Sequence, residues 1–528
     1  MFDKMTPNQR LILAIALSVI FFLGYTTIFP PHDAKNDTAG ASSSTASSAG
    51  SDTQKSASVE QSAVQSDSSS VIAKVHSSDF VIEIDTLGRI SSKKLLEKKY
   101  NQDDQSAELI PDSGHKPLYV RFVDTALNNE ASSVAYRADL ASLDLSDGAK
   151  KVTLTQDLSD VSITKEITFY ADGHYDVEMK LSNDKRYFIY LGQRPQVTQK
   201  LMSVAGAMIY EKTKDLITIV EDGDAKGRES FSDVGLISAF DQYFATIIYN
   251  LPRDIAIYSD RDRSSNPVLY FDALPAMSFS GYIGPKDHKT LEAIDPILPK
   301  AIEYGWFTFA AKPLFIILSY LHGIFGNWGW AIIGLTIIVR IVLFPLTHKG
   351  MTSMQKLKEI SPRIKELQAK YKGDPQRLNA AMMEMYKKHG ANPLGGCLPM
   401  LLQIPIFFAI YRVLLNAVEL QGASWLLWID DLSRMDPTFI LPLLMGASMY
   451  LQQKMTPNNF TDPIQEKIFK YLPVVFTLFF ITFPSGLVLY WFVNNLFSIS
   501  QQYLVNQQFK NKKTSVVAQQ EPKSAEKK

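Results

Sequence analysis

One arginine of the sequence lies inside a long apolar run, where a charged side chain is energetically costly. Arg340 lies near the middle of the apolar run 328–346, and a charge at that depth in a bilayer costs on the order of 2.5–3.5 kcal/mol. Thr336 precedes it by one helical turn and Thr347 follows by two, so a helix places all three on one face. Such a residue predicts a functional site. The alternative is an arginine that reaches the headgroups, about 10 Å away.

Polar side chains also recur in two other apolar runs. Residues 397–418 contain Gln403 and, two turns later, Tyr411, and residues 485–504 contain a helically spaced stripe made of Trp491, Asn494, Asn495, Ser498, Gln501 and Gln502. No Asp, Glu or His lies inside any apolar run, so neither a carboxylate partner for Arg340 nor a proton relay is expected. A buried guanidinium without a carboxylate needs water. We therefore predict a hydrated pocket whose positive charge is available to a partner.

Six apolar runs are predicted to position these residues. The first, residues 11–29, follows Lys4 and Arg10 and is long enough for an uncleaved anchor, the alternative being a cleaved signal peptide. The others are residues 328–346, 397–418, 439–451, 471–483 and 485–504. The fourth and fifth runs, of about 13 residues, could equally be re-entrant.

The charges between these runs predict their orientation. Residues 347–394 hold ten Lys and Arg against four acids, and the tail from residue 510 holds six Lys against two Glu. Residues 419–436 hold one Arg and four acids. Because basic loops stay in the cytoplasm, we predict six transmembrane α-helices with both termini cytoplasmic.

The remaining segments predict the domain organisation. After the anchor at 1–30, the Ser- and Ala-rich residues 31–70 are typical of a disordered linker. Short runs of alternating polarity over residues 71–300 predict a large antiparallel β-sandwich outside the membrane. Residues 301–326 predict an amphipathic helix at the interface, residues 327–508 a five-helix core, and residues 509–528 a basic cytoplasmic tail.

Within the core, residues 350–390 predict a cytoplasmic helical hairpin. Ser361 and Asp374 each precede a proline, the arrangement of a helix N-cap followed by Pro at the first helical position. The two helices are therefore expected at residues 362–372 and 375–389. Their basic excess suits contact with anionic lipid or with acidic nascent chains.

Composition excludes several classes of function. The 54 Lys and Arg balance 54 Asp and Glu, which argues against nucleic-acid readout. One cysteine excludes a disulfide scaffold and Cys-based metal sites. No P-loop or catalytic triad order is present. The sandwich residues that could do chemistry are expected to be solvated at loops and strand ends; they are Asp241, Asp260, Asp262 and His288. We predict no cofactor, no metal and no enzymatic activity.

Three ordered motifs within about 200 residues carry a family resemblance. They resemble the YidC membrane protein insertases, in the long form of Gram-negative bacteria. The motifs are Asn327-Trp-Gly-Trp through Ile338-Val-Arg340 to Phe344-Pro-Leu-Thr, Asn392-Pro-Leu-Gly-Gly-Cys-Leu-Pro through Gln403-Ile-Pro-Ile-Phe, and Phe483-Pro-Ser-Gly-Leu-Val-Leu-Tyr490.

The resemblance implies a periplasmic super-sandwich domain and an insertase groove that opens to the cytoplasm and to lipid. Together with the residue pattern it predicts a hydrophilic groove made of Arg340, Thr336, Gln403, Tyr490, Trp491 and Asn494. Trp491 stands where the family commonly has a second tyrosine, so an indole N–H replaces a hydroxyl. Clients are expected to leave between the third and fifth spans, along Ile404, Pro405, Phe476 and Phe479.

The resemblance also implies partners. These are nascent membrane proteins, the Sec translocon, the ribosome and signal-recognition-particle targeting machinery, and the lipid bilayer. Two other functions stay open on the residues alone. A small-molecule transporter should show an internal repeat, and none is visible. A membrane-tethered carbohydrate-active enzyme would lose its function if residues 71–280 were deleted, whereas an insertase could keep its own.

Overall fold

The chain forms a β-sandwich followed by a body of helices. The computed structural model describes residues 70–101, 105–197, 204–302, 308–390, 398–456 and 463–520. The predicted anchor at 1–30 and nearly all of the predicted linker at 31–70 lie outside the described residues, as does the end of the basic tail.

Eighteen strands make up the described part of the sandwich. They are β1 (Val71–His76), β2 (Phe80–Asp85), β3 (Ile90–Leu95), β4 (Val120–Phe122), β5 (Arg137–Ala138), β6 (Ser142–Asp144), β7 (Lys150–Asp157), β8 (Ser162–Phe169), β9 (His174–Leu181), β10 (Tyr187–Tyr190), β11 (Gly206–Glu211), β12 (Leu216–Glu221), β13 (Glu229–Phe231), β14 (Val234–Phe240), β15 (Phe244–Tyr249), β16 (Ile257–Arg261), β17 (Pro267–Ala273) and β18 (Ala276–Pro285). Buried and exposed residues alternate along these strands because side chains two residues apart lie on the same face of the sheet. In β8, every second side chain is buried.

The strands form three sheets, of four, five and nine strands. Their orders are β3-β2-β1-β6, β13-β16-β17-β10-β4 and β12-β11-β14-β15-β18-β9-β8-β7-β5. The predicted antiparallel sandwich is confirmed, with one difference: β1 and β6 pair in parallel. Cross-strand pairs such as Tyr190 and Tyr270, whose rings stack 5.0 Å apart, fix the register of the five-stranded sheet.

Nine α-helices occur in the described residues. They are α1 (Thr125–Ser133), α2 (His288–Ile294), α3 (Thr308–Phe325), α4 (Trp328–Lys370), α5 (Pro375–His389), α6 (Leu398–Asn416), α7 (Ile440–Met455), α8 (Pro463–Phe480) and α9 (Ser485–Gln520). The first two belong to the sandwich and its edge. The other seven form the helical body.

The prediction of a separate helix starting at Pro362 is wrong. Helix α4 runs without interruption through Pro345 and Pro362 to Lys370. A proline inside a helix costs about 3 kcal/mol, but contacts outside the segment hold α4 in place: the side chain of Ile360 is buried, and Gln355 Nε2 donates to Asn506 Oδ1 at 2.7 Å. The second predicted hairpin helix is confirmed as α5, and Asp374 caps it by accepting from the Arg377 N–H at 3.1 Å.

Helices α7 and α8 are longer than the apolar runs that predict them. They contain 16 and 18 residues, or about 24 and 27 Å of helix rather than about 20 Å. Helix α8 begins eight residues before its apolar run, at Pro463, and α7 continues four residues past its run, to Met455. By length and mean hydropathy, Trp328–Lys370 is the one helix in the described ranges that suffices for a membrane crossing.

Helix α3 differs from the predicted amphipathic helix. One side packs inward through Ala311, Phe315 and Leu318, and the opposite side exposes Phe309 and Tyr320. The exposed side of α3 is therefore also apolar. A surface of this kind is uncommon on a soluble protein.

Helix α9 lies at the centre of the helical body. It packs along α4 on one side and along α7 on another, and α8 packs against α7. Helix α6 packs chiefly against α3 and makes few contacts with α4 and α9. Helices α6 and α8 do not pack closely on each other, and we call the space between them, beside α9, the opening.

Candidate functional site

The guanidinium of Arg340 is buried between α4 and α9. Its side chain is 5% exposed. Nε donates to Asn494 Oδ1 at 2.7 Å, and Nη2 donates to the main-chain oxygen of Asn494 at 3.1 Å and to Ser498 Oγ at 2.6 Å. No carboxylate pairs with Arg340 among the described residues. These neutral oxygens surround the charge without cancelling it. We call the guanidinium and these oxygens the Arg340 cage.

The helical repeat explains why these residues meet. Thr336, Arg340 and Thr347 are all buried on the α4 face that contacts α9. On α9, Asn494 and Ser498 are one turn apart and share a face. The predicted common face on α4 is therefore present, and Ser498, left out of the predicted groove, contacts the arginine directly.

Two further hydrogen bonds extend this contact along the helix pair. Gln501 Nε2 donates to Thr347 Oγ1 at 2.9 Å, and Gln355 Nε2 donates to Asn506 Oδ1 at 2.7 Å. Steps of seven and eight residues from Arg340 equal about two turns each, which returns each side chain to the same face. A polar seam therefore joins α4 and α9 over about 22 Å.

The predicted polar stripe of α9 serves two neighbouring helices. Asn495, next to Asn494 in the chain, faces α7 and donates to Ser448 Oγ at 3.1 Å. Adjacent helical residues point about 100° apart, so the asparagine doublet could have signalled two neighbours. Most of the stripe is thus hydrogen-bonded to protein, which reduces the share of it that can line a wet cavity.

The remaining predicted groove residues have different surroundings. Gln403 of α6 donates from Nε2 to Asn494 Oδ1 at 3.2 Å and so joins the cluster. Tyr490 is buried one turn before Asn494. The Thr336 hydroxyl donates to the main-chain oxygen of Ile332 at 2.7 Å, so it is satisfied within its own helix.

Trp491 lies in an aromatic cluster apart from the Arg340 cage. Its ring meets Phe407 edge-on at 4.7 Å, Phe480 at 5.3 Å and Phe476 at 6.4 Å. These rings come from α6 and α8, so Trp491 bridges the two helices that flank the opening. An indole side chain therefore suits this apolar position better than it would suit a polar groove.

The four residues of the predicted client path lie on α6 and α8, the helices that flank the opening. Ile404 and Pro405 of α6 are exposed, as is Phe479 of α8, and Phe476 is half-buried. Both faces are therefore apolar and accessible in the protein alone.

The sandwich contacts the outer end of α6. Gln242 Nε2 donates to the main-chain oxygen of Leu415 at 2.7 Å, and the main-chain N–H of His288 donates to Glu419 Oε1 at 3.1 Å. Burial raises the pKa of the Glu419 carboxyl to about 7, and the nearby Asp287 carboxylate adds to this shift. Sequence reasoning missed this junction because its partners lie about 130 or more residues apart.

One expectation for the sandwich is wrong. Asp241, expected to be solvated, is completely buried and accepts from the main-chain N–H groups of Tyr243 and Phe244. Across the described ranges, no group of three His, Cys, Asp or Glu side chains is placed to hold a metal ion.

Comparison with known proteins covers nearly the whole chain. The family model described as 60Kd inner membrane protein matches residues 320–513, and that of the YidC periplasmic domain matches residues 73–317. The membrane protein insertase YidC of Wolinella succinogenes is 47% identical over 526 residues, covering 98% of both chains. That of Helicobacter pylori strain 26695 is 46% identical, covering 97% of this chain and 98% of the relative.

These similarities include both the sandwich and the helical body. The relatives match over nearly the full length, and the two family models cover residues 73–317 and 320–513, meeting within α3. The chain belongs to the family of YidC membrane protein insertases.

Proposed function

We infer that this chain is an insertase that moves membrane proteins from the aqueous phase into the bilayer. The observation that carries the inference is 47% identity over 98% of the chain to a membrane protein insertase. The chain is an inner membrane protein with a periplasmic domain, in agreement with the names of both matching family models. The family is one of insertases rather than an enzyme class.

For the topology, we propose six spans with both termini in the cytoplasm. The basic hairpin then lies inside the cell, and the acidic segment 419–436 lies outside with the sandwich. The apolar outer face of α3, with Phe309 and Tyr320 exposed, suits a helix that lies in the outer headgroup region. Helices α7 and α8 are about 24 and 27 Å long, so the bilayer beside them would be slightly thinned.

For the mechanism, we propose that the Arg340 cluster lines a hydrated groove reaching from the cytoplasm to mid-membrane. A client segment gains roughly 25 cal/mol per Å² of apolar surface on entering lipid, but its hydrophilic flank must cross hydrocarbon. A groove that reaches part of the way shortens that crossing. The uncompensated charge of Arg340 would attract an acidic flank into it.

The arrangement of the helices supports an exit between α6 and α8. Ile404 and Phe479 present exposed apolar side chains on opposite sides of the opening. Close to it, Gln403 of α6 donates to Asn494 of α9 at 3.2 Å. A client helix could therefore pass sideways into lipid without disrupting the α4–α9 seam. No covalent bond is made or broken, and no nucleotide is needed.

The partners of the cytoplasmic side follow from its charge. The hairpin of α4 and α5 carries the basic excess of residues 347–394. We propose that it contacts anionic lipid, acidic nascent chains, or the ribosome and signal-recognition-particle machinery, and that the chain works alone or beside the Sec translocon. The two hairpin helices are linked by a hydrogen bond that Lys356 Nζ donates to Gly390 O at 3.3 Å.

Crosslinking to ribosome-stalled nascent chains tests the function. A photoreactive amino acid placed at Ile404 should crosslink to a client that stalls with its apolar segment just outside the ribosome. The same group at Val342 is the matched control, since Val342 is 73% exposed and lies on α4, about 200° around that helix from Arg340. Crosslinks at both positions to equal extent, or at neither, would contradict the proposed exit. Absence of insertion by the purified chain in liposomes would contradict the function itself.

A further inference from the structure

The side-chain amide of Asn494 is held in one orientation by two donors from different helices. Its Oδ1 accepts from Arg340 Nε at 2.7 Å and from Gln403 Nε2 at 3.2 Å. Guanidinium nitrogens can donate but not accept, so the oxygen of the amide must face the arginine. One amide oxygen on α9 therefore links α4 and α6 at the depth of the charge.

The main chain of the same residue completes the contact. Arg340 Nη2 donates to Asn494 O at 3.1 Å and to Ser498 Oγ at 2.6 Å, and the Ser498 hydroxyl donates to Asn494 O at 2.9 Å. Three of the five N–H groups of the guanidinium are thereby used. Nη1 has no hydrogen-bond partner in the part of the chain that the structure describes.

This pattern determines how Arg340 can meet a client. A carboxylate binds arginine most strongly as a fork, through two nitrogens at once. Here Nε and Nη2 are engaged by neutral oxygens, so an incoming carboxylate has the two N–H groups of Nη1. Such an end-on contact holds one carboxylate at a time and is weaker than a fork, which suits a group that must be released again.

We propose that Asn494 is a positioning residue that holds Arg340 with Nη1 directed to the client, so that the groove recognises single Asp or Glu side chains. The proposal rests on the proposed function, because it concerns the same arginine. It adds the reason why the charge stays usable: an amide at this position fixes the guanidinium without neutralising it. A carboxylate at the same position would fix it and neutralise it.

Asn494→Asp tests the proposal, because the two side chains have nearly the same shape. Insertion into liposomes is measured for two clients that differ in their translocated tail, one with two acidic residues and one with two neutral residues. The ratio of the acidic to the neutral rate is the readout, since a general loss of stability lowers both rates alike. We expect Asn494→Asp to lower this ratio about tenfold or more, as Arg340→Ala does.

Asn495→Asp is the matched control. Asn495 is equally buried on the same helix but faces Ser448 rather than Arg340. We expect this variant to change the two rates together and leave their ratio unchanged. Asn494→Ala, which removes the amide that holds the guanidinium but keeps the arginine charge, should lower the ratio about threefold, less than Asn494→Asp does. In a chain that already carries Arg340→Ala, adding Asn494→Asp should lower the ratio no further.

The outcomes distinguish a failure of the positioning role of Asn494 from a failure of the proposed groove charge. An unchanged ratio in Asn494→Asp, with a reduced one in Arg340→Ala, would overturn the positioning role and leave the proposed groove intact. An unchanged ratio in both would overturn the groove charge and the positioning role together. Equal loss of ratio in Asn494→Asp and Asn495→Asp would also overturn the proposal, because any buried acid would then have the same effect. If Asn494→Asp does not fold, an unchanged ratio in Asn494→Ala would overturn the positioning role.

Discussion

Replacing Arg340 with alanine tests the central charge of the site. The charge-assisted hydrogen bond that a client carboxylate would form with Nη1 contributes about 1.5–3 kcal/mol. The Coulomb energy at 4 Å and an effective dielectric constant of 20, about 4 kcal/mol, sets an upper bound. Since each 1.4 kcal/mol is a factor of ten, we expect insertion of clients with acidic tails to slow by about 10- to 100-fold. Clients with neutral tails should be little affected.

The structure indicates that this variant should still fold. When the guanidinium is removed, Asn494 Oδ1 keeps its hydrogen bond from Gln403 and the main-chain oxygen of Asn494 keeps that from Ser498. The Ser498 hydroxyl loses the donor to its oxygen but still donates to Asn494 O, so every polar group of the cage keeps at least one hydrogen bond. Arg340→Lys keeps the charge and supplies three donors, so we expect it to retain most of the activity towards acidic clients.

The assay measures protease-protected client in liposomes that contain the purified chain. Three proteins are compared: the unmodified chain, Arg340→Ala and Arg340→Lys. Equal rates for acidic clients with all three would refute the reasoning. So would a loss in Arg340→Ala that is as large for neutral clients as for acidic ones, since that pattern indicates structural damage.

Three further predictions concern stability. Gly446→Ala should lower the free energy of unfolding by about 1–3 kcal/mol, because the added Cβ would overlap Thr477 Oγ1, whereas Gly323→Ala, whose Cβ would meet no heavy atom within 4 Å, should not. Burial lowers the pKa of Lys165 to about 7, so the folded chain binds fewer protons than the unfolded chain between pH 7 and about 10; stability in urea should rise with pH over this range, and Lys165→Met should flatten the rise. For Glu419, whose folded pKa of about 7 is raised, stability should fall as pH rises through 7; Glu419→Gln should remove that fall in thermal unfolding compared at pH 6 and pH 8.5.

The polar stripe of α9 shows what helical periodicity can and cannot predict. The spacing of Asn494, Ser498 and Gln501 predicts one polar face on α9, and that face is present opposite α4. Periodicity cannot tell which helix lies opposite a residue, so it merges Asn495, which faces α7, with Asn494, which faces α4. It cannot tell a hydroxyl that lines a groove from one, such as that of Thr336, that bonds to its own backbone.

Trp491 illustrates the same limit for the predicted groove. Its position next to Tyr490 suggests a polar role, whereas its ring lies among Phe407, Phe476 and Phe480. Two adjacent residues on a helix point about 100° apart. Which of them meets the arginine depends on how α9 is rotated against its neighbours.

The sequence by itself determined the kinds of element and the position of the charge. Alternation and apolar runs depend on local periodicity and on the cost of exposing apolar or polar groups to the wrong solvent. These properties depend on neighbouring residues alone, so the sandwich, the apolar helices and the isolated arginine are readable from the chain. The cost of a lone charge also marks Arg340 without any knowledge of its surroundings.

The tertiary structure decided what surrounds that charge. The cage joins Arg340 to a residue 154 positions further along the chain, and the junction joins Gln242 to Leu415, 173 positions away. Contacts over such separations depend on how helices pack and rotate, which no local pattern encodes. Packing likewise carries α4 through Pro362, where local signals predict a new helix, because burial and hydrogen bonds outside the segment outweigh one proline.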